Sequence, residues 1–354
     1  MMNIEKIRET ISWQEFGAII LTNPVNRLFA TGFMSSDGAL LMTGDEAWFF
    51  TDSRYIEAAG TSVTGADVRL VTGDDPYHAQ IKAILQEKGI TSVGFEADSV
   101  TYAGYLEWTE KLEAKMIPAN KLISGLRAVK TPGDLKKLKE AQRVSEKAFE
   151  EILPLISARI TEKQLSAELV YRMMTNGADD KAFDPIIVSG PRSSMPHGVP
   201  GDNYITNGFL TIDFGARLDN WCSDTTRTVC VGEPDDEMVK VYDTVLEAQE
   251  AGIRAARAGI AGSEVDAAAR SVIENAGYGE FFGHGFGHGL GLEVHEAPVA
   301  KKTSEDTLQE GAVISAEPGI YIPGRFGVRI EDVIYITKDG CENITNLPKK
   351  LIIV

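Results

Sequence analysis

The chain has little cysteine and comparatively few basic residues. Its three cysteines, Cys222, Cys230 and Cys341, are an odd number without CxxC spacing. This excludes a disulfide framework and a cysteine zinc site, and it favours a reducing compartment. Lys and Arg number 35 against 52 Asp and Glu, so the net charge is −17. Because phosphate binding depends on clustered positive charge, we expect no nucleic-acid partner.

The chain also lacks long hydrophobic runs. The first residues, MMNIEKIRETISW, are acidic where a signal peptide would have its apolar core. No apolar run approaches the ~20 residues that cross a bilayer. We therefore expect a cytoplasmic protein with no membrane partner. What is present is typical of a folded protein, with 43% hydrophobic and 25% charged residues over 354 positions, a length that favours two domains.

The pattern of the sequence changes near Gly125. Residues 1–125 alternate short β-like runs such as GAIIL, GALLMT and AWFFT with helical patterns such as YHAQIKAILQEKG, which predicts a small α/β domain. Residues 126–354 begin with a long amphipathic helix, for which Asp134 is the expected N-cap, and then mix helices with strand pairs. This second part is predicted to be an α+β domain.

The segment GFLTIDFGARLDNWCSDTTRTVCVG contains two β-like runs around a turn signal. With Leu218 and Asp219 as the central turn residues, Asp213 lies directly opposite Asp224 and both side chains point to one face. Like charges in that position destabilise a sheet, so the pairing predicts a positive group between them, most simply a metal ion. This hairpin alone leaves open a different register with both acids in solvent.

The segment GAVISAEPGIYIPGRFGVRIEDVIYIT repeats the arrangement. With the bend at 323–325, Glu317 lies opposite Glu331, and strand alternation places Arg329 on the face of Glu331. Two facing acid pairs among mostly apolar residues are difficult to explain as solvated surface, because buried carboxylates need a partner. Together with an imidazole they predict a site for Mn²⁺, Fe²⁺ or Co²⁺, with Zn²⁺ as an alternative, and bridging acids favour two ions.

Three of the five histidines, His284, His288 and His295, lie in the glycine-rich stretch GHGFGHGLGLEVHE. The spacing of His284 and His288 suits a helical zinc pair, but the surrounding glycines disfavour a helix. The stretch also lacks the GxGxxG pattern of dinucleotide binding. We expect an extended or looped backbone close to another segment. His197 lies in a second loop, SSMPHGVPGD. For this histidine the sequence is equally consistent with an active-site role and with no functional role.

These residues together resemble the metallopeptidases with the creatinase or pita-bread fold, in their branch of Xaa-Pro aminopeptidases and Xaa-Pro dipeptidases (prolidases). The motifs IDFGA, SDTTRT, HGFGHGLGLEVHE, AEPGIY and RIED occur in that family's order and spacing. NRLFATGFMSSDGALLMT and WFFTDSRY resemble its creatinase-type N-terminal domain. The resemblance implies a creatinase-like α/β domain at 1–125, a pita-bread catalytic domain at 126–354, and a homodimer.

The resemblance also implies a site. It assigns the ligands of a dinuclear metal centre to Asp213, Asp224, His288, Glu317 and Glu331. It places His197, His284 and His295 in the substrate site, with His197 and His295 near the scissile carbonyl. Arg329 would support the metal-binding acids. Among the metals named above, Mn²⁺ is the expected ion.

The expected activity is metal-dependent hydrolysis of the peptide bond before proline, as in an Xaa-Pro aminopeptidase, so proline-containing peptides are the expected partners. A hydroxide formed between the two ions would attack the carbonyl, and Glu317 would pass a proton from the water to the proline nitrogen. His197 and His295 would donate hydrogen bonds to the carbonyl oxygen as it gains negative charge.

One position bears on the substrate. Some prolidases have a basic residue four positions after the equivalent of His295, where it holds the free carboxylate of a dipeptide, but this chain has Val299 there. This favours an aminopeptidase that accepts longer peptides, unless Arg192, Arg325 or another residue supplies the charge. A strict Xaa-Pro dipeptidase is the main alternative. A hydrolase of a non-peptide C–N bond and a catalytically silent peptide-binding relative are more remote.

Overall fold

The computed structural model describes residues 4–354, which divide into two compact units, the first ending at Arg127 and the second running from Ala128 to Val354. The first unit contains a six-stranded sheet. Its strands are Ala18–Leu21 (β1), Ala39–Thr43 (β2), Ala47–Thr51 (β3), Asp67–Leu70 (β4), Ser92–Phe95 (β5) and Lys115–Pro118 (β6). Their order is β4-β3-β2-β1-β5-β6. The β1–β2 and β2–β3 pairs are antiparallel, and the other pairs are parallel.

Helices alternate with most of these strands. They are Ile4–Thr10 (α1), Pro24–Thr31 (α2), Ile56–Ser62 (α3), Tyr77–Glu87 (α4), Tyr102–Leu112 (α5) and Asn120–Ala128 (α6). The predicted runs GAIIL, GALLMT and AWFFT contain β1, β2 and β3, which are buried along their whole length. Parallel pairs with intervening helices make this unit α/β, as the sequence predicts.

The second unit has four helices of more than three turns. They are Pro132–Ile152 (α7), Glu162–Thr175 (α8), Asp236–Ala255 (α9) and Gly262–Asn275 (α10). The strands before α9 are Asp180–Lys181 (β7), Ile186–Ser189 (β8), Gly208–Phe214 (β9), Ala216–Leu218 (β10), Trp221–Cys222 (β11) and Thr225–Val231 (β12). Those after α10 are Gly287–Gly289 (β13), Glu296–Ala300 (β14), Val313–Ala316 (β15), Gly319–Ile322 (β16), Phe326–Arg329 (β17), Asp332–Ile336 (β18) and Cys341–Asn343 (β19).

Each helix pair of this unit covers sheet strands. Helices α7 and α8 pack on β9 and β12, where the rings of Phe149 and Phe214 stack with centroids 5.5 Å apart. Helices α9 and α10 bury Val245 and Ile273 against Ile314 of the sheet ordered β14-β13-β15-β18-β19. Burial of such a side chain contributes about 1.5–3 kcal/mol. The strand faces turned away from the helices are thereby available for polar groups.

Helix α7 begins differently from the prediction. Its N-cap is Thr131, whose side chain accepts a hydrogen bond from the amide of Asp134, while the Asp134 carboxylate accepts from the amide of Thr131. The predicted cap Asp134 is therefore the third helical residue of a capping box, because Pro132 already adopts helical φ at the first position. Among residues 4–354, no helix is both long and apolar enough to cross a membrane.

Candidate metal centre

The first acid-bearing hairpin is formed by β9 and β12, and its register differs from the prediction. The turn is centred on Asp219 and Asn220, whose φ values are 50° and 68°. Asp213 therefore faces Thr226, and the predicted direct pairing of Asp213 with Asp224 is wrong. Asp and Asn tolerate the left-handed conformation that this turn requires, so the turn lies one residue later than predicted. That shift changes the pairing by two residues, which keeps both acids on one face.

The second hairpin has the predicted bend at 323–325 and a gap in its ladder. Strand β16 pairs with β17 on one side of the gap and β15 with β18 on the other, in one common register. Extending either ladder places Glu317 opposite Glu331 in the gap. The amide of Glu317 donates to the carbonyl of Phe286 at 2.8 Å, and the amide of Glu331 donates to that of Thr226 at 3.0 Å. Both acids are thus anchored to segments outside their own hairpin, Glu317 to the residue before β13 and Glu331 to β12.

His288 lies on β13, between β14 and β15. A Cβ atom on Gly287 would lie 2.0 Å from the carbonyl oxygen of Ser315, and one on Gly289 would lie 2.3 Å from that of Ala297. Only glycine permits this approach of three backbones. The extended backbone close to another segment, predicted from the glycines, is confirmed.

His288 is surrounded by the acids of the two hairpins. Single ligand atoms of Asp224, His288 and Glu331 lie within 4.8 Å of one another. Nε2 of His288 lies 3.1 Å from Oε1 of Glu317 and 3.7 Å from Oδ2 of Asp224. A single imidazole therefore faces acids from both hairpins, an arrangement that suits metal binding.

Arg329 is the buried cation of this site. Its Nη2 donates to Oδ2 of Asp213 at 2.6 Å, and its Nε donates to Oγ1 of Thr226 at 3.0 Å. The Thr226 hydroxyl in turn donates to Oε2 of Glu331 at 2.8 Å. Burial raises the pKa of Asp213, and the guanidinium offsets this only in part. Arg329 thus orients one acid directly and a second through Thr226.

A hydrogen-bond chain runs from Arg329 through Tyr321 to His284. Nη1 of Arg329 donates to the Tyr321 hydroxyl at 2.8 Å, and that hydroxyl lies 2.9 Å from Nε2 of His284. Nδ1 of His284 lies 2.9 Å from the carbonyl oxygen of Gly285 and must donate to it. Because burial lowers the pKa of His284, its neutral form is favoured. The Nε2 atom of this neutral imidazole accepts a hydrogen bond from the Tyr321 hydroxyl. Both ring nitrogens therefore have partners within the protein.

Protons are distributed unevenly among the remaining groups. Burial and the charge of Glu331 raise the pKa of Asp224 well above its usual value, and burial and Glu317 do the same for Glu331. Burial lowers the pKa of His288, but its hydrogen bond and charge interaction with Glu317, together with Gly289 and Asp213, outweigh this and raise it. Burial raises the pKa of Glu317, but His288 outweighs this and lowers it to about 2. Without an ion, these shifts favour a charged His288 beside an ionised Glu317, and they favour the protonated forms of Asp224 and Glu331.

Two carboxylate oxygens of the site are buried without a hydrogen-bond partner among residues 4–354. They are Oδ1 of Asp213 and Oε1 of Glu331. An unsatisfied buried polar atom costs about 1–3 kcal/mol, and more when it is charged. A divalent cation satisfies such oxygens, and four carboxylates with one imidazole suit Mn²⁺ and similar ions. The residues present therefore fit a metal centre.

A cavity of about 970 Å³ in the second unit brings the predicted site residues together. Its walls include Asp213, Asp224, His288, Glu317, Glu331, His197, His284, His295 and Arg329. The rings of His288 and His295 have centroids 4.2 Å apart. His197 and His295 are exposed to the cavity, whereas His284 is partly buried behind it.

The wall around Val299 contains cations other than those expected. Arg325, on the exposed hairpin turn, forms an ion pair with Glu237 of α9. Neither Arg325 nor Arg192 is part of the cavity wall. Lys163 and Lys301 are exposed side chains of the wall. Lys301 lies just past the end of β14, and it lines the same cavity as Val299.

Three residues of the site are not predicted from the sequence: Thr226, Ser315 and Tyr321. Oγ of Ser315 donates to Oε1 of Glu317 at 3.0 Å, so each of the three contacts a predicted site group. A usable signal was present, because Thr226 lies two residues after Asp224, and Ser315 and Tyr321 lie an even number of residues from Glu317. Strand alternation places all of these on the same faces as the acids.

Comparison with known proteins agrees with this geometry. Residues 136–338 match Metallopeptidase family M24, and residues 3–129 match the Creatinase/Prolidase N-terminal domain. The chain belongs to metallopeptidase family M24. The expected pita-bread domain and creatinase-like N-terminal domain are confirmed, and the chain is a hydrolase of this family.

Several M24 relatives match almost the whole chain. The solved "Xaa-Pro dipeptidase from Bacillus anthracis" is 42% identical, with a TM-score of 0.95 and coverage of 99% of both chains. The X-Pro aminopeptidase from Thermotoga maritima is 37% identical, with a TM-score of 0.89 and coverage of 96% and 98%. The Xaa-Pro dipeptidase of Pyrococcus horikoshii is 36% identical over 99% of this chain and 98% of its own.

Proposed function

We propose that the chain is a metal-dependent peptidase that hydrolyses the bond before proline, acting as an Xaa-Pro aminopeptidase. The observation that carries the proposal is the pair of unpartnered buried oxygens on Asp213 and Glu331. They lie in a cavity with three more metal-ligating side chains. The names of the M24 relatives described above support the preference for proline.

The proposed ligands of two divalent ions are Asp213, Asp224, His288, Glu317 and Glu331. Mn²⁺ is the ion we propose. When bound, the ions would supply a water of lowered pKa and an electrophilic contact for the substrate carbonyl. Arg329 and Thr226 keep Asp213 and Glu331 aligned for this role.

The remaining side chains divide between proton transfer and charge stabilisation. Glu317 would accept a proton from the attacking water and deliver it to the departing nitrogen. An amide nitrogen is a poor leaving group until it is protonated, and the proton delivered to the Xaa-Pro nitrogen, which has no hydrogen, becomes the N–H of the released proline. His295 and His197 would donate hydrogen bonds to the carbonyl oxygen as negative charge develops there. His284 would act through Tyr321 and Arg329, since its nitrogens are already bonded.

The size of the cavity supports longer substrates. A volume of about 970 Å³ is near the upper end of the roughly 300–1,000 Å³ common for ligand sites. That volume leaves room for residues after the proline. With Val299 in the wall, the cavity has an apolar surface where a basic residue would select the carboxylate of a dipeptide.

A strict Xaa-Pro dipeptidase is the second candidate, and Lys301 favours it. This lysine lies two residues after Val299, just past the end of β14, and its exposed side chain is part of the cavity wall. The ammonium group of Lys301 could bind the free carboxylate of a bound dipeptide. The two candidates therefore differ in whether the cavity wall binds the free carboxylate of a dipeptide or accommodates further residues after the proline.

The test is a cleavage assay on protein stripped of metal. The protein is incubated with and without Mn²⁺ on Ala-Pro, Ala-Pro-Ala and the matched control Ala-Ala-Ala, and the products are identified by mass. Cleavage of Ala-Pro-Ala before proline, only with Mn²⁺, supports the aminopeptidase. Cleavage of Ala-Pro alone supports the dipeptidase, and turnover of none of the three contradicts both.

Three further expectations remain proposals. They are the homodimer, the location in the cytoplasm and the domain boundary between residues 125 and 126. Light scattering on the purified protein would measure the mass of the assembly.

A further inference from the structure

His197 lines the cavity, and its imidazole ring is not held there by a hydrogen bond to the described residues. Its side chain is exposed, and its ring forms no hydrogen bond with residues 4–354. Its position therefore depends on the backbone of the loop 190–200. Any group that fixes the two ends of this loop therefore also fixes the backbone position from which the imidazole extends.

A single carboxylate joins the two ends of that loop. Glu162, the first residue of α8, is fully buried. Its Oε1 accepts from the amide of Ser189 at 2.9 Å, and its Oε2 accepts from the amide of Gly201 at 3.1 Å. The segment from Ser189 to Gly201 is consequently closed on itself through one side chain.

Arg192 extends this closure to the residues next to His197. Its Nε lies 3.1 Å and 3.2 Å from the two carboxylate oxygens of Glu162. Its Nη2 donates to the carbonyl of Val199 at 2.7 Å. Arg192 is thus bonded to the carboxylate that closes the loop and to the backbone two residues after His197.

The metal centre contacts the same loop from the opposite side. Nη1 of Arg329 lies 3.2 Å from the carbonyl oxygen of Pro196, the residue before His197. The backbone around His197 therefore has an anchor at the metal centre and another at Glu162 and Arg192, in addition to the amide of Gly327, which donates to Oγ of Ser193 at 2.9 Å. The second anchor contains no residue that contacts the acids described above.

We propose that Glu162 and Arg192 are positioning residues that hold His197 at the substrate carbonyl. This inference rests on the proposed function, in which His197 donates a hydrogen bond to that oxygen. A hydrogen bond to a developing charge requires a donor already in place. Loosening the loop should therefore lower kcat while leaving the metal centre loaded.

The test is a double-mutant cycle between Glu162→Gln and His197→Ala on the Mn²⁺-loaded protein. Glutamine keeps the size of the side chain but removes the charge that binds Arg192. We expect Glu162→Gln to lower kcat on the order of 10-fold to 100-fold, as for a misplaced catalytic group. In the His197→Ala background the same change should have almost no further effect on kcat, because the group it positions is gone.

Two matched variants accompany the cycle. Glu168→Gln removes an exposed carboxylate of the same helix that pairs with Arg172, and it should leave kcat unchanged. Arg192→Ala, at a partly exposed position, releases Val199 and provides the same cycle should Glu162→Gln fail to fold. Metal content and melting temperature are measured for every variant.

The outcomes separate this inference from the proposed function. Loss of kcat that disappears in the His197→Ala background supports positioning through His197. Equal losses of kcat in both backgrounds overturn it, because Glu162 then acts on something other than His197. Full activity of His197→Ala overturns the role of His197 itself, and a wild-type protein that cleaves no Xaa-Pro peptide refutes the proposed function before the cycle begins.

Discussion

Nη2 of Arg329 donates to Oδ2 of Asp213 at 2.6 Å, and both side chains are almost completely removed from solvent. The other oxygen of Asp213 is one of the two that have no hydrogen-bond partner in the described residues. Asp213 thus presents one oxygen to a permanent cation of the protein and the other to the proposed metal position.

Replacing Arg329 by Met should weaken metal binding and activity about 10-fold to 100-fold, the usual effect of removing a group that orients a ligand. The measurements are the Mn²⁺ dissociation constant and kcat. Arg325→Met is the matched control, since this arginine lies on the same hairpin but forms an exposed pair with Glu237. Equal behaviour of the two variants would contradict the role of Arg329.

Glu317→Gln should abolish turnover and weaken metal loading. The amide retains the size of the side chain but cannot accept the proton of the attacking water, and it is a poorer ligand than a carboxylate. Metal analysis and single-turnover kinetics on Ala-Pro-Ala measure the two effects separately. Near-normal activity of this variant would refute the assignment.

His295→Ala should lower kcat about 10-fold or more with metal content unchanged, because the imidazole is proposed to stabilise charge and not to bind the ions. Elemental analysis of the purified variant provides the test. If the variant lost its metal, His295 would have to be a ligand.

Metal binding should release protons and strengthen as pH rises. The pKa values of Asp224, Glu331 and His288 are raised in the metal-free protein, so an ion must displace protons from these groups. Titration calorimetry with Mn²⁺ in two buffers of different ionisation enthalpy measures this release. Identical heats in both buffers would show that no protons leave.

The same pKa shifts determine how stability depends on pH. Groups whose pKa is raised by folding stabilise the protein below their unfolded pKa, and this contribution is lost as pH rises through the folded pKa. Glu317, whose pKa is lowered to about 2, has the opposite dependence but only at acidic pH. The melting temperature of the metal-free protein should therefore fall as pH rises above 6.5, the ordinary pKa of histidine, because the pKa of His288 is raised from that value. Added Mn²⁺ should raise the melting temperature more at the higher pH.

The acids of the site could be predicted because strand alternation depends only on the order of residues. Asp213 and Asp224 were expected on one face, and the observed register keeps them there even though their direct pairing was wrong. The register itself depends on which residues accept positive φ. Asp219 and Asn220 accept it, and this preference competed with an equally plausible turn one residue earlier.

The hydrogen-bond partners of the site could not be predicted in the same way. Thr226 and Arg329 come from different hairpins, so their contact depends on how those hairpins pack. Tyr321 is on the same hairpin as Arg329, but its hydroxyl also has to reach His284 from another segment. The fixed tautomer of His284 follows from Tyr321 and Gly285 together, and no local pattern indicates it. Likewise, Glu162 reads as an ordinary acidic residue at a helix start until the loop that it closes is seen.

The gap between the two ladders of the second hairpin has a consequence for how the centre opens. Because the amides of Glu317 and Glu331 donate to Phe286 and Thr226, separating the hairpin from its neighbours must break both bonds at once. The exchange of these two amide protons with deuterium therefore measures the opening of the junction itself. An ion bound across that junction would hold together segments that are far apart in the chain. Slower deuterium exchange at both amides after metal is added would show this effect.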